Sequence, residues 1–271
     1  MQQKMFREIR RFADTIRKKT ASLSGEPLFV SHGQVCDTNF MPSLCCEAIL
    51  FDLDGVLVDS TPIVSRIWKQ WAIEHGFDPE YVIHAAHGRR TIETVQALAP
   101  HLDAEAETDW VETREINDSD GLLVVPGARE LIESLPPDRF TVVTSGIRPL
   151  AITRLRAAGL PTPAKMVTAD DVAHGKPDPE PYLKGAALLG FKPEDCLVFE
   201  DAPSGLRSAK TAGMCAVGVS TTYPAERLST ADWVIPTLDS VKVIQEHSSP
   251  RLHVQIGLPD KPTKRGGGIR G

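Results

Sequence analysis

Short apolar runs alternate with helical patterns along most of the chain. From Glu47 onward, runs of about five residues rich in Val, Ile and Phe have the length and composition of buried strands. They are AILFDL (48–53), FTVVTS (140–145), KMVTA (165–169), CLVFE (196–200), CAVGVS (215–220) and DWVIP (232–236). The helical patterns between them include RPLAITRLRAAG, PEPYLKGAALLG and SGLRSAKTAG, and these end at Gly159, Gly190 and Gly213, where glycine commonly closes a helix. The alternation predicts an α/β fold with a Rossmann-like, doubly wound parallel sheet.

One stretch, residues 61–126, breaks this alternation. It contains no convincing strand, and Ile63, Ile67 and Trp71 share one helical face after a Pro62 that suits a helix start. We interpret it as an α-helical cap domain inserted into the sheet. The predicted organisation is therefore an N-terminal extension at 1–44, disordered or a helical leader, an α/β core at 45–60 and 127–240, the cap at 61–126, and a tail at 241–271.

Composition narrows the functional classes. The 271 residues are 41% hydrophobic with a net charge of −6, which supports a substantial core and argues against nucleic acid as a partner. No apolar run approaches the roughly 18 residues that a membrane span needs, so no membrane partner is predicted. The five cysteines show no C-x-x-C spacing, which is typical of thiols in a reducing compartment and predicts a cytoplasmic protein.

Polar residues follow four of the predicted strands, at the carboxyl ends where an open parallel sheet binds its ligand. Clustered carboxylates raise one another's pKa unless a cation lies between them, and ligands that are all oxygen favour Mg²⁺. A hydroxyl, a glycine amide and a lysine would complete an anion site for a phosphate that bridges to the metal. These residues are Asp52 and Asp54, then Thr144, Ser145 and Gly146, then Lys176, then Glu200 and Asp201.

The segments DLDGVLVDS, VVTSG, GKPDPEPY and VFEDAPSG resemble, in this order, the four motifs of the haloacid dehalogenase-like (HAD-like) phosphohydrolase superfamily. The likeness covers roughly residues 47–240, and VIHAAHGRRT and FEDAPSG are most similar to glycerol-phosphate and 2-deoxyhexose-6-phosphate phosphatases. It implies a Mg²⁺-dependent phosphatase that hydrolyses a small polyol or sugar phosphate through an aspartyl-phosphate. The alternatives are a phosphoglycolate phosphatase, a β-phosphoglucomutase-like phosphosugar mutase, and a non-catalytic HAD-like binding protein.

The resemblance also implies roles for individual residues. Asp52 would be the nucleophile, Asp54 the general acid and base, and Lys176 the cation that offsets phosphoryl charge. The metal would bind Asp52, the carbonyl of Asp54 and Asp201, with Glu200 either a direct ligand or a residue that positions the ligands. Ser145 and the Gly146 amide would hold the phosphoryl oxygens, and Thr144 would replace Ser145 if the register shifted by one residue.

The cap is expected to select the substrate, a small phosphate ester bound by a monomer or weak dimer. In HAAHGRRT, Arg90 is the first choice for substrate binding, followed by His87 and Arg89. The alternative is a polar helix start with solvated arginines. Asp59 and Ser60 are expected to cap the first cap helix, and Trp68 and Trp71 to lie in the cap core.

Overall fold

A computed structural model describes residues 43–244 and 251–257. The predicted leader up to residue 42 and the last residues, 258–271, lie outside this described part. The strands are β1 (Ser43–Cys46), β2 (Ala48–Phe51), β3 (Val58–Asp59), β4 (Leu123–Val124), β5 (Phe140–Val143), β6 (Met166–Val167), β7 (Cys196–Glu200), β8 (Cys215–Val219), β9 (Trp233–Ile235), β10 (Val241–Ile244) and β11 (Leu252–Ile256). The helices are α1 (Thr61–Glu74), α2 (Pro79–Ala86), α3 (Thr91–Leu98), α4 (Ala104–Asn117), α5 (Ala128–Glu133), α6 (Arg148–Ala157), α7 (Glu180–Leu189) and α8 (Pro203–Thr211).

The central sheet is parallel and runs in the order β6-β5-β2-β7-β8-β9. Ile49 of β2 pairs with Phe140 of β5 on one side and with Leu197 of β7 on the other. In order of appearance these strands lie 3-2-1-4-5-6, the order of the doubly wound dinucleotide-binding folds. The predicted fold class is confirmed, and the order reverses between β2 and β7, where such sheets bind their ligands.

Both faces of the central strands β2, β5 and β7 are buried, and these strands are mostly apolar. On one face the ring of Phe51 stacks on that of Phe199, with centroids 5.4 Å apart. On the other face Leu50 and Val143 pack against Tyr182 of α7. Strands covered on both sides read as continuous apolar runs rather than alternating ones, which explains why they could be located from the sequence.

Helices α1 to α4 form the cap, with a small apolar core of their own. Trp68 and Trp71 are buried there, as predicted, and Trp71 donates its indole N–H to Glu107 at 2.8 Å. One expectation was wrong: the segment 61–126 does contain a strand, because β4 pairs antiparallel with β3. A strand of two residues is too short to show a pattern in the sequence. The β3–β4 pair nevertheless joins the two connections between cap and core.

A second sheet was also not anticipated. Strands β1, β11 and β10 form an antiparallel sheet, so residues 43–44 and much of 241–257 are ordered parts of the fold rather than leader and tail. In β11 buried and partly exposed residues alternate, the pattern of a half-covered strand. Across the described part of the chain, no helix has the length and apolar character needed to cross a bilayer.

Candidate active site

Three carboxylates converge at the point where the strand order reverses. Asp52 directly follows β2, Glu200 ends β7, and Asp201 comes next. One oxygen from each lies within 4.8 Å of the others, and all three residues are buried. The parallel register of β2 and β7 produces this arrangement because it brings their carboxyl ends to the same edge.

Lys176 lies against this cluster and is only 1% exposed. Its ammonium is 3.0 Å from Asp52 Oδ1 and 2.7 Å from Glu200 Oε1, and it also donates to the carbonyl of Val143 at 3.1 Å. A buried ammonium loses its hydration, so it needs such partners. Lys176 therefore lies beside Asp52, in the place that the motif order predicts.

The electrostatics of the cluster call for more positive charge. Burial raises the pKa of Asp52 and of Asp201, and the neighbouring carboxylates add to this, although Lys176 opposes it. Burial disfavours the charge of Lys176, but Asp52 and Glu200 outweigh it and raise its pKa. Three carboxylates and one ammonium leave a formal charge of about −2, which a divalent cation with oxygen ligands would balance.

Both oxygens of Glu200 are already engaged. Oε1 accepts from Lys176 and from the hydroxyl of Tyr182 at 3.1 Å, and Oε2 accepts from the amide of Ala202 at 2.9 Å. A Cβ on Gly205 would lie 1.6 Å from Oε1. The start of α8 can therefore pack this closely against Glu200 only because residue 205 is glycine. These contacts favour the alternative in which Glu200 positions Lys176 and its neighbours.

The glycine of the first motif lets its loop pack onto Asp201. Gly55 has φ +77°, in the left-handed region that L-residues with side chains avoid. A Cβ there would lie 1.9 Å from Asp201 Oδ2. The D-L-D-G sequence therefore supplies two carboxylates and also a glycine that this backbone conformation requires.

Asp54 is not part of this cluster, and two other residues hold its carboxylate. Ser60 donates its hydroxyl to Asp54 Oδ1 at 2.7 Å, and the guanidinium of Arg154 is 2.7 Å from Oδ2. Arg154 also reaches Glu115 of α4, at 2.9 Å. The expectation that Ser60 caps α1 is corrected, because its side chain gives the helix no capping bond, whereas Asp59 accepts from the Thr61 amide as predicted.

The hydroxyl-rich loop after β5 meets the cap. Ser145 donates to the carbonyl of Gly88 at 3.4 Å, and Ser204 donates to the same oxygen at 3.1 Å. Thr144 accepts the Gly146 amide at 3.1 Å, so in this structure that amide has a partner within its own loop. All three loop residues nevertheless line the cavity described next.

A cavity of about 70 Å³ lies between the cap and the carboxyl ends of the strands. Its walls come from the first motif, the loop after β5 and the cap. They include Asp52, Asp54, Ser60, Trp68, His87, Arg89, Glu115, Thr144, Ser145, Gly146, Arg154 and Asp201.

The structure does not support the order in which Arg90, His87 and Arg89 were ranked as substrate-binding residues of the cap. His87 and Arg89 line the cavity, and burial lowers the pKa of His87. Arg90 does not line it: its guanidinium binds Glu93 at 2.5 Å and the carbonyls of Val172 and Ala173. The first choice is therefore corrected, because Arg90 ties the cap to the core.

Sequence reasoning missed Arg154, Glu115 and Tyr182. The signal for Arg154 was its position within an apolar stripe, since Leu150, Ala151 and Leu155 are buried on the same face of α6. A charged residue in such a stripe is almost never fully buried unless it is paired. The pairing itself joins distant segments and left no mark in the sequence.

Comparison with known proteins places this arrangement in a family. Residues 46–213 match the model of the haloacid dehalogenase-like hydrolases. The chain is 40% identical to hexitol phosphatase A of Escherichia coli over 74% of its own length and 95% of the relative's. It is 36% identical to glycerol-1-phosphate phosphohydrolase 1 of Saccharomyces cerevisiae, covering 80% and 92%. It is 32% identical to 2-deoxyglucose-6-phosphate phosphatase 2 of that yeast, covering 81% and 98%.

The chain belongs to the haloacid dehalogenase-like hydrolase family, and it is a phosphatase within it. The resemblance inferred from its four motifs is therefore confirmed.

Proposed function

We propose that the protein is a Mg²⁺-dependent phosphatase that hydrolyses a small polyol or sugar phosphate through an aspartyl-phosphate on Asp52. One observation carries this proposal: the buried Asp52 carboxylate, held by Lys176 at 3.0 Å, faces a cavity that the cap closes. The named substrates of the relatives, a hexitol phosphate, glycerol 1-phosphate and 2-deoxyglucose 6-phosphate, support a polyol or sugar phosphate here.

The residues fit a magnesium ion. Oxygen atoms of Asp52 and Asp201 are close enough to share one cation. Burial, with the neighbouring carboxylates, raises the pKa of both groups, and a cation between them would oppose that effect. These two side chains and the carbonyl of Asp54 would hold the ion, while Glu200, with both oxygens engaged, would position Lys176. When bound, Mg²⁺ supplies charge that attracts and neutralises the phosphate ester.

The first step falls to Asp52. Its Oδ1 accepts from the Leu53 amide at 2.8 Å and faces Lys176, whereas no hydrogen bond from a described residue reaches Oδ2. We therefore assign Oδ2 the attack on phosphorus, which forms the acyl phosphate as the bond to the ester oxygen breaks. Lys176 offsets negative charge on the phosphoryl group, and Ser145 and Gly146, which line the cavity, would hold its oxygens.

Asp54 moves the protons. It gives a proton to the departing alkoxide oxygen, then takes one from the water that attacks phosphorus and regenerates the Asp52 carboxylate. General acid–base help of this kind is typically worth on the order of 10²–10⁴ in rate. Arg154 can only donate to Oδ2, whereas the Ser60 hydroxyl at Oδ1 can turn and accept, so Oδ1 is the oxygen that we assign the proton.

A substrate panel with Mg²⁺ and with chelator tests the proposal. It should contain a hexitol phosphate, glycerol 1- and 3-phosphate, 2-deoxyglucose 6-phosphate, phosphoglycolate and glucose 1-phosphate, with released phosphate as the readout. We expect rapid, chelator-sensitive hydrolysis of a polyol or sugar phosphate. Activity that ignores chelation would contradict the metal site, and conversion of glucose 1-phosphate to glucose 6-phosphate without phosphate release would favour a mutase.

Two further assignments belong to this proposal. We place the protein in the cytoplasm, as a monomer or weak dimer that needs no nucleic acid or membrane partner. No disulfide occurs among the described residues, and Cys46 and Cys196 are buried, which is compatible with a reducing compartment. Fractionation of cells and light scattering of the purified enzyme would test the two points.

A further inference from the structure

Arg154 is a buried arginine that joins the core to the cap. It lies on α6 and is 4% exposed, although arginine is almost never fully buried without partners. One guanidinium nitrogen is 2.7 Å from Asp54 Oδ2, and another donates to Glu115 Oε2 at 2.9 Å. Glu115 belongs to cap helix α4 and is itself 5% exposed.

The partners of the Arg154 guanidinium are two carboxylates, and neither is a main-chain carbonyl. Arg129, for comparison, binds main-chain carbonyls of Ala158 and Gly159. Arg154 has no hydrogen bond to the main chain in the described structure, and its Nε is buried without a partner. Its contacts are therefore the two carboxylates, one beside the reacting groups and one on the cap.

The two contacts on Asp54 fix the direction of its carboxyl group. Ser60 holds Oδ1 at 2.7 Å while Arg154 holds Oδ2 at the same distance, so rotation about the last side-chain bond would break both contacts. Ser60 lies on the connection into the cap, and Glu115 lies within it. The arrangement around Asp54 is therefore complete only when the cap lies on the core as it does here.

We propose that Arg154 is a positioning residue that couples placement of the cap to the aim of Asp54, and that Glu115 is the cap group through which this coupling acts. The inference rests on the proposed function, since it assigns Asp54 the proton transfer to the leaving group. When Glu115 withdraws with the cap, Arg154 loses one of its two anchors, and Asp54 loses its fixed direction. Proton transfer by Asp54 is then restricted to the closed enzyme, where bulk solvent is excluded.

The leaving group distinguishes this role from a structural one. An alkyl phosphate expels a basic alkoxide and depends on proton donation, whereas p-nitrophenyl phosphate expels a stable phenolate and hardly needs it. The two esters are compared by kcat/KM, which reports the steps up to phosphoryl transfer. The alkyl substrate is the one that the wild-type enzyme hydrolyses fastest in the panel above.

We expect Arg154→Met to lower kcat/KM for the alkyl phosphate by about 100-fold or more, and for p-nitrophenyl phosphate by less than about 10-fold. Arg154→Lys should fall between wild type and Arg154→Met, because a point charge cannot hold two carboxylates as the planar fork does. Arg156→Met is the matched control, an exposed arginine on the same helix, and should leave both values unchanged. Equal losses on the two esters would overturn the proposal.

Glu115→Gln tests the cap end of the link and serves if Arg154→Met does not fold. It should lower the alkyl-to-aryl ratio of kcat/KM in the same direction, and it should add no further loss in the Arg154→Met background. A folded Glu115→Gln enzyme with an unchanged alkyl-to-aryl ratio of kcat/KM would refute the coupling. So would a double variant in which the two losses of kcat/KM multiply fully. A wild-type enzyme inactive on both esters would instead refute the proposed function.

Discussion

Gly88 is a point where the cap touches the core, and its replacement by alanine has a calculable effect. An added Cβ would lie 2.7 Å from the Cβ of Ala202 and 2.9 Å from Ser204 Oγ, well inside ordinary contact. Overpacking of this kind costs about 1–3 kcal/mol, and the hydrogen bond from Ser204 to Gly88 is worth about 1 kcal/mol. The seated cap should therefore be disfavoured by about 2–4 kcal/mol, which is roughly 30- to 1000-fold in kcat/KM.

Gly76→Ala is a matched control within the same cap. Gly88 and Gly76 have φ values of +72° and +73°, but nothing lies within 4 Å of a Cβ at Gly76. Both variants should lose about 1–2 kcal/mol of unfolding free energy in urea because alanine is strained at positive φ. Only Gly88→Ala should also lose activity, measured as phosphate release. If its kcat/KM stays within about threefold of Gly76→Ala, the contact between Gly88 and the core does not matter for catalysis, and the reasoning fails.

Three further predictions concern stability. Tyr182→Phe removes a buried hydrogen bond to the Glu200 carboxylate and should lower the unfolding free energy by about 1.5–3 kcal/mol in urea titrations; an unchanged midpoint would contradict the contact. Gly205→Ala places a Cβ 1.6 Å from Glu200 Oε1 and should give insoluble or inactive protein, whereas Gly213→Ala, with open space around it, should stay soluble; equal yields and activities would count against this. Burial, together with Glu115, raises the pKa of Glu112 to about 7 from 4.5, so the folded state keeps this proton to higher pH than the unfolded chain. The unfolding free energy should therefore fall between about pH 4.5 and 7 and be level above, and Glu112→Gln should reduce that slope; a slope unchanged in the variant would assign it to other groups.

The sequence was most informative where chemistry and strand position coincide. Asp52, Lys176 and Asp201 could be grouped from their places along the chain because parallel strands end at one edge of a sheet and an acidic cluster there needs a cation. The central strands could be located as apolar runs because helices cover both faces of the sheet and nearly every residue is buried. The two-residue strand at Leu123 and the half-covered strand at Leu252 carry too little pattern to be distinguished from loop.

The cap shows why the rest could not be predicted. Arg90 and Arg89 are adjacent and chemically identical, yet one binds Glu93 and the core while the other lines the cavity. That difference depends on where α3 begins relative to the core, which residue spacing does not encode. Likewise the contact of Arg154 with Glu115 joins residues 39 positions apart on separate helices, and only the fold brings them together.

The central claim is that Asp52 carries the phosphoryl group during turnover. The most direct measurement is a single-turnover reaction with a radiolabelled substrate, quenched in acid and followed by mass spectrometry of the labelled peptide. We predict transient label on Asp52, with none on Asp52→Asn, which should fold normally but release no phosphate. Asp59→Asn, at the acceptor of the Thr61 amide, is the control and should still be labelled on Asp52. Release of phosphate without a labelled enzyme, or turnover by Asp52→Asn at the wild-type rate, would contradict the account.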